Sequence, residues 1–149
     1  MRTSQDHQSV NWNLFSSEFK LSEFTSPQVV VQRQLDAYNA KNLDAWVATY
    51  APEAQQFEWG GKLLASGHAQ IGARTALRFE EPNLHARLLS RTVLGSVVID
   101  HEDIRRTLPE GPGQVEVVCI YVVERGLIQS ATFSFGPLVL MNQTDFISK

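Results

Sequence analysis

Two adjacent runs of β-branched and aromatic residues constrain the fold of this chain more than any other feature. The runs are Val115–Glu124 and Ala131–Phe135, and the chain turns between them at Arg125-Gly126. Runs of this composition joined through a glycine predict a β-hairpin. The first strand is apolar on both faces over its middle, so both faces must be covered. We therefore expect it at the centre of a sheet, with helices on one side and another layer, such as a second subunit, on the other.

Three helices are predicted before these strands. Ser26, Asn42 and Ser66 each stand where a side chain can cap a helix, and Pro27 suits a first helical position. Apolar residues recur at three- and four-residue steps behind the first cap, which gives that helix one buried face. The helices are expected at Ser26–Ala40, Leu43–Tyr50 and His68–Glu80.

The strands follow a simple order. They are expected at Glu53–Trp59, Lys62–Ala65, Leu84–Leu94 and Val97–Leu108, followed by a Pro109–Gly113 loop and the two strands of the hairpin. Helices first and hairpin-linked strands afterwards imply an α+β domain. A long twisted sheet curls, so the curved, mostly antiparallel sheet can wrap around the N-terminal helix and leave a conical apolar cavity.

One domain is expected, over residues 26–137, with an N-terminal extension at 1–25 and a C-terminal tail at 138–149. The extension is polar but carries aromatic residues, among them Trp12, Phe15 and Phe19 at roughly helical spacing. These rings could pack on the domain, cover the mouth of a pocket or contact a partner subunit. The plainer alternative is a poorly ordered extension with one or two docked rings.

Composition excludes several classes of function. The 149 residues include 13 basic and 16 acidic ones in mixed order, for a net charge of −3, so no nucleic acid or membrane partner is indicated. No apolar stretch approaches the ~20 residues of a membrane span. Cys119 is the only cysteine, which fits a reducing compartment and predicts a cytoplasmic protein. The histidines and carboxylates lack metal-site spacing, and no phosphate-binding loop opens a helix, so no metal and no cofactor is expected.

Several segments together resemble a known superfamily. Val31–Ala45 resembles the opening helix and N-x-x-D turn of nuclear-transport-factor-two-like proteins, the group that contains ketosteroid isomerase and SnoaL-like polyketide cyclases. Tyr50–Ala54, Ser66-Gly67 and the four long strands continue the likeness over about Ser26–Gly136, and Val98–Glu102 resembles an uncharacterised bacterial branch. The resemblance implies a cystatin-like α+β cone, often found as a homodimer.

The resemblance also implies roles for three residues. Glu58 falls at the position of the family's catalytic base, Gln34 at that of a helix tyrosine, and Tyr121 at that of a protonated aspartic acid. An amide and a phenol can both donate hydrogen bonds to an oxyanion. The implied activity is a cofactor-independent isomerase, cyclase or dehydratase that acts by acid–base catalysis on a small hydrophobic carbonyl compound. The alternative is a non-catalytic binder of a small hydrophobic ligand, or a dimeric scaffold of the same fold.

Two titratable residues are open to opposite interpretations. Glu58 stands between Phe57 and Trp59, so it is either a base with a pKa raised by apolar surroundings or an ordinary solvent-facing residue. His101 alternates with Val97 and Ile99. If that face of the strand is concave, the imidazole points into the cavity and can exchange protons with a ligand. Otherwise it is a structural histidine bonded to a neighbouring strand.

The remaining site predictions concern the walls of the cavity. The Tyr121 ring should be buried on the central strand, with its hydroxyl bonded to a ligand or to another side chain. Together with the catalytic candidates Glu58, His101 and Tyr121, we predict ligand contacts from Gln34, Tyr38, Tyr50, Trp59, Cys119 and Phe133. The alternative for the aromatic members and for the cysteine is ordinary core packing.

Overall fold

The computed structural model describes residues 25–141, so the aromatic residues of the N-terminal extension and residues 142–149 of the tail lie outside the described part of the chain. Within that part three helices and seven strands form an α+β fold. The helices are α1 (Pro27–Asn39), α2 (Leu43–Val47) and α3 (Gly67–Arg78). The strands are β1 (Tyr50–Glu58), β2 (Leu63–Ser66), β3 (His85–Leu94), β4 (Val97–Leu108), β5 (Gly111–Glu124), β6 (Leu127–Phe135) and β7 (Val139–Leu140).

All strands belong to one curved, unclosed sheet in the order β2-β1-β6-β5-β4-β3, and β7 pairs with the first residues of β5. Every pairing is antiparallel except that of β1 with β6. The first strand of the predicted hairpin, β5, lies between β4 and β6, as its two apolar faces indicate. The predicted fold class is therefore confirmed. The predicted tail contributes β7, a strand that was not expected.

The inner face of the sheet carries the core. Val98 on β4, Val117 and Tyr121 on β5 and Ile128 on β6 are at most 2% exposed, and they face the buried side of α1, which includes Val31. The end of α1 is also tied to the sheet edge, because the Asn39 amide exchanges two hydrogen bonds of 2.9 Å with the backbone of Ala86 in β3. The side chain thus takes the place of a neighbouring strand at that edge.

Part of the outer face is apolar too. Val118, Ile120 and Val122 of β5 are half-buried there, and Ile99 of β4 is exposed. A second copy of the chain covering this face, as the sequence suggests, stays a prediction. Among residues 25–141, no helix is both long and apolar enough to cross a membrane.

The helix ends follow the sequence only in part. The Asn42 side chain accepts a hydrogen bond of 3.1 Å from the Ala45 amide, which confirms the predicted cap of α2. The Ser26 hydroxyl makes no such bond at the start of α1. The second helix ends at Val47, and the prediction that it continues to Tyr50 is wrong. The Thr49 carbonyl instead accepts a bond of 2.9 Å from the Ile128 amide, which draws this segment into the sheet.

This difference in capping predicts a difference in stability. Asn42→Ala should lower the free energy of unfolding by about 1 kcal/mol, because the first turn of α2 loses its side-chain acceptor. Ser26→Ala is the matched control and should leave stability nearly unchanged, since that hydroxyl caps nothing. Urea-induced unfolding followed by circular dichroism measures both. Equal losses in the two variants would contradict the assignment.

The turn between β4 and β5 sets the faces of both strands. Leu108 pairs with Gly111, so the turn holds two residues, whereas the sequence suggests a loop of five over Pro109–Gly113. Gly111 has a φ of 129°, a conformation that favours glycine, and this lets the strand resume at once. The register puts Glu102 opposite Val117, and both side chains point to the inner face.

Candidate functional site

A cavity opens between the concave face of the sheet and the helices. It contains about 640 Å³ of empty space when its open mouth is counted. Its walls come from α1, α2, α3, β1, β4, β5 and β6. Apolar and aromatic side chains form much of the lining, and the polar side chains that reach it include Gln34, Tyr50, Gln56, Arg74, Arg78 and Glu102.

Glu102 is the acidic residue of this lining. Its side chain is on the inner face of β4, the residue is 4% exposed, and its Oε2 atom has no hydrogen-bond partner. Burial and, to a smaller extent, the negative charge of Asp100 raise the pKa of Glu102, the positive charge of Arg91 lowers it, and the net result is a pKa of about 7. A carboxyl group in this state can give or take a proton near neutral pH.

Asp100, two residues earlier on the same face, has a different environment. It is fully buried, and Arg91 donates to both of its carboxylate oxygens at 2.6 and 2.8 Å. Arg91 is itself held by α1, where the Gln32 side-chain oxygen accepts a bond of 2.9 Å. The hydrogen bond to Asp100 raises the pKa of the Arg91 guanidinium. Asp100 is therefore paired with a cation, whereas Glu102 lines the cavity.

The tyrosines and the cysteine of the cavity stay neutral near pH 7. Burial raises the pKa of Tyr38 to about 12, and it raises the pKa of Tyr50, Tyr121 and Cys119 well above their ordinary values. These four groups can therefore donate or accept hydrogen bonds but do not exchange charge near neutrality. Glu102 is left as the cavity group whose pKa is shifted into that range.

Hydrogen-bond donors surround the cavity. Arg74 donates to Gln56 at 3.2 Å and Gln56 donates to the Tyr50 hydroxyl at 3.3 Å, so the Tyr50 hydrogen remains for another acceptor. Trp46 packs against the Tyr50 ring, with 4.8 Å between ring centroids, and its buried Nε1 atom has no partner. An unpaired buried N–H is costly, and a ligand oxygen or a water molecule would satisfy it.

Six of the residues predicted to form the site line the cavity. They are Gln34, Tyr38, Tyr50, Cys119, Tyr121 and Phe133. Tyr121 donates a hydrogen bond of 3.4 Å to Gln34, one of the alternatives that the sequence leaves open for its hydroxyl. Their contacts with a ligand stay a prediction.

The structure places three predicted site residues elsewhere. Glu58 is exposed at the last position of β1, and Trp59 beyond it is 66% exposed. Gln56, two residues earlier, is the inward-facing polar residue of that strand. His101 lies on the outer face of β4, where its Nε2 atom is 2.6 Å from Glu116. Its imidazole therefore does not point into the cavity, because the even-numbered residues of β4 face inward, and of the two interpretations the histidine bonded to a neighbouring strand is the one observed.

Sequence reasoning missed Glu102 as a site residue, although a signal for it exists. A two-residue turn at Pro109-Glu110 pairs Glu102 with Val117 and so puts it on the face of Tyr121. A five-residue loop shifts the register by three, an odd number, and exchanges the two faces of the strand. Arg74 and Arg78 were also missed, because the sequence alone does not show which side of α3 faces the cavity.

Fold and cavity together define a cone-shaped α+β protein with an acidic group inside its hollow. The sequence matches the SnoaL-like domain over residues 31–131, so the chain belongs to this family. A comparison with curated proteins by sequence found no match. Among residues 25–141, no group of three or more His, Cys, Asp or Glu side chains is arranged to hold a metal ion.

Solved structures share the fold at low sequence identity. An uncharacterised cystatin-fold protein from Novosphingobium aromaticivorans is 22% identical with a TM-score of 0.68, over 73% of this chain and 97% of the other. A putative SnoaL-like polyketide cyclase from Jannaschia sp. is 20% identical with a TM-score of 0.64, over 73% and 84%. An LEH-like epoxide hydrolase from M. tuberculosis is 14% identical with a TM-score of 0.63, over 72% and 80%. At these identities the likeness shows the fold alone.

Proposed function

We propose that the protein is a cofactor-independent acid–base enzyme of the isomerase, cyclase or dehydratase type, acting on a small apolar carbonyl compound. Glu102 would be the group that moves the proton. The observation that carries this proposal is its carboxyl group, buried in the cavity wall, with one oxygen unpartnered and a pKa raised to about 7.

The proposed reaction needs two protein groups in contact with the same ligand: a base, and a hydrogen-bond donor that binds the carbonyl oxygen. The Glu102 carboxylate would take a proton from the carbon beside the carbonyl, and the electron pair would move to the carbonyl oxygen as an enolate. The Tyr50 hydroxyl and the Trp46 N–H are donors that could hold that oxygen. Protonated Glu102 would return the proton to the same carbon, or to another one when the product is an isomer.

Proton exchange tests this function without knowledge of the natural substrate. A panel of small cyclic ketones is incubated with the protein in deuterated buffer, and loss of the proton signal beside the carbonyl is followed by nuclear magnetic resonance. We expect kcat/KM to rise about tenfold per pH unit below pH 7 and to level off above it, because only the ionised form of Glu102 is a base.

Two outcomes would contradict the proposal. One is no exchange with any member of the panel, and the other is exchange with a rate that does not change between about pH 5 and pH 9. Tight binding of ketones without exchange would instead support the alternative, a non-catalytic ligand-binding protein.

A further inference from the structure

We propose that the compound bound in the cavity is an organic acid with an apolar body, and that Arg78 and Arg74 bind its carboxylate. This rests on the proposed function to the extent that the same cavity holds the ligand. It adds a chemical class, an oxo acid, to the carbonyl compound proposed above.

Both arginines belong to the α3 wall of the cavity. They are four residues apart, which puts them on the same side of the helix, and both line the cavity. Arg74 uses Nη1 for its bond of 3.2 Å to Gln56, and a guanidinium has five N–H donors in all. The planar guanidinium of an arginine can bind a carboxylate through two parallel hydrogen bonds, so either side chain offers a carboxylate a matching set of donors.

Arg78 lacks a strong ionic partner of its own. Its nearest acid is Glu81, with 3.7 Å between Nε and Oε2, which is too long for a hydrogen bond. The Glu81 carboxylate already accepts bonds of 2.8 and 2.7 Å from Arg106 and one of 3.0 Å from the Thr107 amide. Glu81 therefore mainly neutralises Arg106, and Arg78 presents a charge that an anion in the cavity could neutralise.

The charge balance of the cavity favours an anion. Two arginines and one glutamate reach its walls, so the net charge is positive, and it is most positive when Glu102 holds its proton. The other charges beside Glu102, Asp100 and Arg91, neutralise each other. A partly buried site with unbalanced positive charge attracts a negative ligand and binds it more tightly than a neutral one of equal shape.

Other walls of the cavity suit the rest of such a molecule. The Phe133 ring lies 6.5 Å from Tyr121 and 6.1 Å from Phe135, between centroids, and these rings offer an apolar surface. Trp46 and Glu102 belong to walls other than α3, and each has a buried polar atom without a partner, Nε1 and Oε2 respectively. A ligand with a carboxylate, an apolar body and a separate carbonyl oxygen would match the arginines of α3, the aromatic rings and the walls that carry Trp46 and Glu102, in that order.

Calorimetry with matched pairs of acids and amides tests the proposal. The full chain is titrated with phenylacetate, 4-phenylbutanoate, cyclohexanecarboxylate and octanoate, and with the neutral amide of each. In at least one pair we expect the acid to bind about tenfold more tightly than its amide, since a charged hydrogen-bond pair is lost in the amide. Added salt should weaken binding of the acid and leave that of the amide unchanged.

Variants then locate the anion site. In Arg78→Gln and in Arg74→Gln the acid should lose most of its advantage over the amide, and Arg78→Lys should keep part of it because the charge remains. Arg33→Gln is the matched control, an exposed arginine of α1 that does not line this cavity, and should bind like the original protein. Thermal unfolding of each variant shows whether the fold is kept.

The proposal is overturned if acids and amides bind equally in every pair, if no acid binds, or if folded Arg78→Gln and Arg74→Gln keep the full preference. These results are separate from the test of the proposed function. Equal binding of acids and amides, together with exchange of a ketone, would contradict the anion site and leave the proposed proton transfer intact. A clear preference for acids without exchange of any ketone would keep the anion site and remove the proton-transfer role.

Discussion

Replacing Glu102 with glutamine is expected to lower ketone exchange by about 10²- to 10⁴-fold and, at the same time, to raise the free energy of unfolding at pH 8. The loss of activity follows because an amide of nearly the same shape cannot take a proton. The gain in stability follows because the buried carboxylate is replaced by a group without charge. A residue that supports only the structure would not show both effects.

The gain in stability depends on pH in a direction that can be worked out. Burial raises the pKa of Glu102 from 4.5 to about 7 in the folded chain. Below about pH 4.5 the carboxyl group is neutral in folded and unfolded chains alike, so it costs nothing. As the pH rises towards 7, only the unfolded chain ionises freely. The cost is complete above pH 7, and the difference between the two pKa values corresponds to about 3 kcal/mol.

Urea-induced unfolding at pH 5 and pH 8 measures this effect. Glu102→Gln should exceed the original protein in stability by up to about 3 kcal/mol at pH 8 and by much less at pH 5. A difference between the two proteins that does not change with pH would show that Glu102 is not held in the neutral form by the fold.

Glu58→Gln and His101→Asn are the matched controls for activity. Both remove a titratable group that the sequence singles out, and both side chains lie outside the cavity. Each should retain full exchange activity. If Glu58→Gln lost activity while Glu102→Gln kept it, the role implied for Glu58 by the family resemblance would stand and the assignment to Glu102 would fall.

The sequence predicts most of the fold because the relevant signals are local. Two apolar faces on β5 demand a central position, and the cap at Asn42 fixes the start of α2. The end of α2 could not be predicted in this way. It is set by the hydrogen bond between Thr49 and Ile128, which are far apart in the chain. The spacing of apolar residues up to Tyr50 fits a helix and does not reveal this contact.

The candidate site was predicted less well, for a different physical reason. Aromatic and amide residues of the cavity wall, such as Tyr50 and Gln34, could be predicted from the periodicity of apolar residues within a single helix or strand. The choice between His101 and Glu102 depends on the parity of the β4–β5 register, and a single turn length decides it. The alternation of side chains along β4 shows that His101 and Glu102 lie on opposite faces of the strand. Only the pairing of β4 with β5 shows which of these faces lines the cavity.

Arg91→Met is expected to lower the free energy of unfolding by about 3 to 5 kcal/mol, because it leaves the Asp100 carboxylate buried without its cation. The effect should reach the cavity as well. Arg91 lowers the pKa of Glu102 and Asp100 raises it, so removal of the guanidinium should move the break in the pH profile of exchange above pH 7. Chemical unfolding at pH 7 and the exchange profile of the folded variant measure the two effects.

Two further variants separate the buried ion pair from a general loss of surface charge. Arg87→Met removes an arginine whose side chain is 65% exposed and whose bond to Asp103 is 3.3 Å long, so it should cost at most about 1 kcal/mol. Arg91→Met combined with Asp100→Leu should recover most of the lost stability, since both charges of the pair are removed and no buried charge is left unpaired. It should also lower the pKa of Glu102 relative to Arg91→Met alone, because the carboxylate that raises it is gone. An Arg91→Met variant as stable as Arg87→Met would show that Asp100 does not depend on this partner.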